Sequence, residues 1–163
     1  MTARLSVLAL LFLTACATTP PKTIPVQRAT EGPTADEVWR ARFATGYGRL
    51  PTFDGTTAWK EQVQDRVRAY LGRHPEIATS PRATQFRFHR RVAVGMTKEE
   101  VVLLLERPDS TTSDEAAMRA AAAQFWPAIQ PHACEMWMYP PGWQLYFESD
   151  RLADLTVSGR EPL

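Results

Sequence analysis

Cysteine and histidine are scarce in this 163-residue chain, with two of the first and three of the second. It has no His-x-x-x-His or Cys-x-x-Cys pair, no Gly-x-Ser-x-Gly and no phosphate loop, so metal, triad and nucleotide chemistry lack sequence support. An excess of charge of one sign is missing too, since 19 Lys and Arg stand against 18 Asp and Glu. That balance gives no reason to expect nucleic acid or an acidic substrate as partner. Neither a cofactor nor a small-molecule substrate is implied. The longest largely apolar run, residues 5–13, is less than half the ~20 residues that a helix needs to cross a bilayer.

That short run has a telling setting. A single Arg4 precedes it and small residues lead up to Cys16, which together describe a secretory signal over residues 1–15. The segment Leu13-Thr14-Ala15-Cys16 resembles the lipobox of bacterial lipoproteins. The resemblance implies that the Cys16 thiol receives a diacylglyceryl group, that the chain is cut before it, and that fatty acids such as palmitate hold the new N-terminus in a membrane. Two or three acyl chains anchor stably where one is marginal, because each buried methylene contributes about 0.8 kcal/mol. Enteric lipoproteins kept at the inner membrane usually have Asp after the cysteine, so Ala17 favours the periplasmic face of the outer membrane. An ordinary cleaved secretory peptide is the alternative. If Cys16 carries lipid, Cys134 has no partner for a bridge within the chain.

Residues 17–35 contain four prolines and no aromatic side chain. They offer too little to bury, so with Cys16 they read as a lipidated, disordered tether over residues 16–35. As a coil the stretch spans about 25 Å and as extended polyproline about 60 Å.

From about Thr34 onward there is one domain's worth of chain, enough to bury roughly two thirds of its unfolded surface. A helical region is expected over residues 36–90. Thr34 is placed to cap a first helix with Asp36 and Glu37 in its first turn, ending near Gly46-Tyr47-Gly48. Thr57 is placed to cap a second, whose Trp59, Val63, Val67, Tyr70 and Leu71 form one apolar stripe before Gly72 and Pro75. Between Ser80 and Val94 the signals conflict: Ser80-Pro81 starts a helix, while Phe86 and Phe88 alternate as in a strand. Helix is the reading taken. The neighbouring Arg87, His89, Arg90 and Arg91 read as a solvated face, with contact to anionic lipid headgroups as the functional alternative.

Next, Gly95 breaks the chain, Thr97 and Glu100 form a capping box, Val101, Val102, Leu104 and Leu105 supply an apolar face, and Pro108 stops the helix. The alanine-rich stretch from Ala116 to Trp126 predicts another helix, ended by Pro127. Residues 135–139, 143–148 and 152–157 predict three antiparallel strands joined by tight turns, with Trp143, Leu145, Phe147, Ala153, Leu155 and Val157 facing inward. The overall expectation is an α+β protein with helices packed on a three-stranded antiparallel sheet, preceded by extra N-terminal helices.

Within this order, Gly95-Met96-Thr97-Lys98-Glu99-Glu100-Val101, Leu104-Leu105, Arg107-Pro108-Asp109, Trp137-Met138-Tyr139 and Leu145-Tyr146-Phe147 resemble the BamE/SmpA/OmlA family of small outer-membrane lipoproteins. The resemblance covers residues ~91–158, so a BamE-like α+β domain is expected over 91–159, carrying a helical insertion at ~113–132. It implies two helices on a three-stranded sheet, no catalytic activity, and a protein-binding role beside the proteins that insert outer-membrane β-barrels. The same fold acting as an inhibitor or sensor of another envelope protein is the alternative. Glu106 stands where the family usually has glycine.

The residues best suited to an enzyme are His132, Cys134 and Glu135, but a thiol and an imidazole two residues apart need not meet. Cys134 is expected to be a small buried side chain. For a binding surface the candidates are Tyr139, Pro140, Pro141 and Trp143, because aromatics anchor interfaces and turn tips are exposed.

Overall fold

Side-chain caps and prolines set where the chain is helical. In the computed structural model of the protein, which describes residues 25–159, two short strands come first, β1 (Gln27–Ala29) and β2 (Glu31–Thr34). Thr34 Oγ1 then accepts from Glu37 N at 3.1 Å and opens α1 (Ala35–Tyr47), which closes where Gly48 takes a left-handed φ of 64°. Thr52 caps α2 (Phe53–Arg73) in the same way through Gly55 N at 3.2 Å. Pro75 and Pro81 each begin a single-turn helix, α3 (Pro75–Ala78) and α4 (Pro81–Thr84), at a position where the missing N–H has no partner to lose. A π-type turn over Gln85–His89 continues α4, closed by Arg90 N to Gln85 O at 2.6 Å, and leads into β3 (Arg91–Ala93).

The capping box forms as expected. Thr97 Oγ1 accepts from Glu100 N at 3.2 Å, Glu100 Oε2 accepts from Thr97 N at 2.8 Å, and α5 (Lys98–Leu105) follows. Beyond it lie β4 (Ser110–Thr112), α6 (Glu115–Ala122) capped by Asp114, α7 (Trp126–Ile129), and the strands β5 (Glu135–Tyr139), β6 (Trp143–Glu148) and β7 (Arg151–Val157).

The three expected strands are the centre of a larger antiparallel sheet of order β1-β7-β6-β5-β4, and β2 pairs with β3 in a separate ribbon. Alternation along β5 and β6 sends Trp137, Tyr139, Trp143, Leu145 and Phe147 to one face, where they join α1, α2 and α5 in the main core. Met136 and Tyr146 point the other way, into a second core made with Met118, Ala122, Trp126 and Ile129. Both faces are therefore covered, the second by the insertion. Above that second core, Thr156 donates to Gln144 Oε1 at 2.9 Å, Gln144 donates to Ser158 at 3.0 Å, and the Tyr146 hydroxyl meets Thr156 at 3.2 Å. These buried polar groups satisfy one another across β6 and β7.

Several expectations change. The proline-rich stretch does not stay free to residue 35: from Gln27 it pairs with β7 and β3, Gly32 and Pro33 are buried, and Arg28 clamps Asp154 at 2.6 Å. The leader, the Cys16 motif and the rest of that stretch lie outside the described residues. Thr57 does not cap α2 but sits inside it, its hydroxyl donating back to Phe53 O at 3.1 Å. Pro127 starts α7 rather than ending α6, which stops at Ala122 where Ala123 turns to φ 49°. On β7, Leu152 faces the main core and Ala153 does not. The pairs Tyr146 with Asp154 and Phe147 with Leu152 leave Ala153 as an extra residue, and such a bulge reverses the alternation beyond it.

Candidate functional site

The turn between β5 and β6 is not the exposed aromatic tip that the sequence suggests. Tyr139 is 2% exposed and its hydroxyl donates to Glu106 O at 2.9 Å, while Trp143 is 4% exposed and its indole donates to a Glu37 carboxylate oxygen at 3.0 Å. Both therefore bind the sheet to the helices above it, and neither side chain stands on the surface. Of the four candidates, Pro141 is exposed and Pro140 half-buried. Gly142 closes the turn at φ 76°, with Ser158 N donating to its carbonyl at 2.8 Å.

His132, Cys134 and Glu135 do not converge. His132 Nδ1 lies 3.2 Å from Glu148, and Glu135 is held by Lys98 at 2.5 Å and by the Trp137 indole at 2.6 Å. The hydrogen bond from Lys98 is the main reason the Glu135 carboxyl stays below the usual carboxylate range. Cys134 is exposed rather than buried, and no hydrogen bond joins its thiol to the imidazole. Among the described residues, no group of three or more His, Cys, Asp and Glu side chains is placed to hold a metal ion.

What the structure does assemble is a groove of about 530 Å³ along the second half of α2. Its floor is apolar, built by Val67 and Leu71 from the stripe on α2, Ala78 from α3 and Phe86 from the π-type turn. Phe86 is fully buried and packs edge-on against Tyr70, with centroids 5.8 Å apart. Two residues on, Phe88 stands 77% exposed at the lip. The wide turn separates the two rings: it directs Phe86 into the core and Phe88 outward, which the strand-like alternation cannot tell apart from a helix.

The rim is basic. Arg68 pairs with Asp65 at 2.8 Å, Arg90 reaches Asp36 only at 4.0 Å, and Arg87 meets no hydrogen-bonding or ionic partner among the described residues. Arg91, from the same sequence cluster, turns away to Glu31 at 3.0 Å. The cluster is thus divided between a structural ion pair and the groove. An apolar trough of this size under a basic rim suits an apolar segment that carries negative charge, and its volume is within the ~300–1,000 Å³ usual for binding sites. The sequence signals for it were the α2 stripe and the Arg-rich run, but the closeness of the two depends on the turns between residues 73 and 90. No family model, no curated protein and no solved structure matches this chain.

Proposed function

We propose that this chain is a lipid-anchored protein of the bacterial envelope, held at the periplasmic face of the outer membrane by acylated Cys16, and that it works by binding rather than catalysis. Its partner in this reading belongs to the proteins that insert outer-membrane β-barrels. The observation that carries binding is the groove, an apolar trough with Arg87, which has no ionic partner among the described residues, on its rim and Phe88 at its lip. An exposed aromatic beside a guanidinium is the composition of an interface anchor, and leaving an aromatic in water has no structural benefit. The envelope part rests on the lipobox-like segment. The barrel-assembly part rests on a BamE-like order: the capped helix α5, then Pro108-Asp109, then three consecutive antiparallel strands.

A photoreactive phenylalanine analogue in place of Phe88, irradiated in intact cells, tests this. Adducts with barrel-assembly components that weaken when Arg87→Glu is added are the expected result. Correct outer-membrane location without any such adduct would remove the barrel-assembly role and leave the anchor. An adduct with a soluble envelope enzyme would instead favour the inhibitor reading.

A further inference from the structure

Five large apolar side chains are well exposed among the described residues, and three of them fall within residues 47–53. Tyr47 is 69% exposed, Leu50 75% and Phe53 83%, all at the tip of the hairpin that joins α1 to α2. Scattered apolar side chains on a surface are ordinary, whereas several on one protrusion mark a contact. The tip is also braced. Buried Trp59 stacks on Trp39 at 4.9 Å, Trp39 meets Phe43 at 5.6 Å, and Phe43 meets Tyr47 at 4.5 Å, a ladder of rings from core to tip. The Arg49 guanidinium lies 5.5 Å from the Phe43 centroid. A tip already ordered in this way loses little further freedom when it binds.

We infer that this tip enters the interfacial layer of the membrane that holds the lipid anchor, giving the protein a second contact and a fixed orientation. The inference rests on the anchored reading above. Reach permits it: Gln27 lies eleven residue steps after Cys16, a span of at most about 40 Å. The 13-residue helix α1 places the tip about 20 Å from Thr34, where the chain enters it. Chemistry favours it as well. A tyrosine, a leucine, a phenylalanine and an arginine whose stem can lie along apolar surface are the side chains that suit the boundary between headgroups and acyl chains. Shape decides between lipid and protein. Three side chains on a convex tip cover far less than the roughly 800 Å² per partner of a stable protein interface, but they need no complementary surface to enter a fluid layer.

The test uses the full-length protein purified from the envelope and reconstituted into phosphatidylethanolamine and phosphatidylglycerol vesicles with brominated acyl chains. Trp59, Trp126, Trp137 and Trp143 are buried and Trp39 half-buried, so a tryptophan added at the tip by Leu50→Trp reports separately from them. Brominated lipid should quench most of the emission that Leu50→Trp adds, and little of that added by Arg107→Trp on an exposed turn. The mass of the N-terminal peptide reads the anchor independently. Acylated, vesicle-bound protein whose tip tryptophan is unquenched overturns the tip contact and leaves the anchor standing. Protein that is not acylated and does not bind vesicles removes both. Quenching in protein that is not acylated would establish the tip contact without the anchor.

Discussion

Three of the four tyrosines are buried, and each is neutral only while its proton stays on. Burial pushes the Tyr70 hydroxyl up to about 12, with the Glu100 and Glu99 charges adding to it, and pushes Tyr146 up to about 12 against the opposing Thr156 hydrogen bond. Tyr139 is raised further by the same cause. An unfolded tyrosine ionises near 10, so above that pH the folded chain holds protons that the unfolded chain has released. The stability from this source is complete below about pH 10 and is lost as pH rises toward the folded values near 12. Circular dichroism and phenolate absorbance recorded together between pH 9 and 13 should show these tyrosines ionising as the helical signal collapses. Complete phenolate formation in a protein that keeps its helical signal would contradict this. Tyr139 and Trp143 also show why exposure is not legible residue by residue: an aromatic beside a turn can as well be a hinge pin, and the position of Glu106 and Glu37 decides that these two are buried.

At the scale of elements, caps and stops were legible where the signal is local. Thr34, Thr97 with Glu100, Gly48 and the α2 stripe all do what their spacing predicts. The errors arose where two local signals competed. Thr52 and Thr57 both precede apolar positions, and the chain uses the earlier because Phe53 to Gly55 can already turn helically. Thr52→Ala should therefore cost about 1 kcal/mol in urea unfolding, whereas Thr57→Ala, at a position inside the helix, should cost nothing measurable. Equal losses, or the larger one at Thr57, would refute that assignment. The bulge at Ala153 belongs to the same class of error: strict alternation is the right prior for a strand, and one extra residue opposite Tyr146 and Phe147 inverts it. The groove was half legible for a similar reason. Its α2 wall follows from periodicity, while Phe86 and Phe88 part company only because the π-type turn adds a residue to the helical repeat.

Across the whole molecule, the helices of residues 36–90 and the sheet of residues 91–159 share one continuous core, in which Val38, Trp59 and Val63 pack with Leu145, Phe147 and Leu155. The short strands before α1 belong to that body too, since β1 covers one edge of the sheet and buried Gly32 lies against Leu155 and Val92. A methyl group at Gly32 would come within 3.1 Å of Leu155. Deleting residues 27–34 should accordingly lower the melting temperature by well over 10 °C or abolish cooperative melting, read by calorimetry. It removes β1, β2 and the Arg28 to Asp154 pair together, a loss of several kcal/mol in a domain where each shifts the midpoint by about 2–4 °C or more. Melting unchanged by the deletion would mean that these strands are decoration.

The α+β class, the capped helices and the meander of three strands were legible in the sequence because each is written in neighbouring residues: a cap three positions from its partner, a turn between two alternating runs. Long-range packing, by contrast, sets the five strands of the sheet, the covering of both its faces, the burial of Tyr139 and Trp143, and the exposure of Phe88, Tyr47, Leu50 and Phe53. Edge pairing and burial depend on which distant segments arrive at the same place. A stretch of chain as polar as residues 27–34 forms strands only because β7 presents an open row of backbone donors and acceptors to Gln27–Ala29 and β3 does the same for Glu31–Thr34.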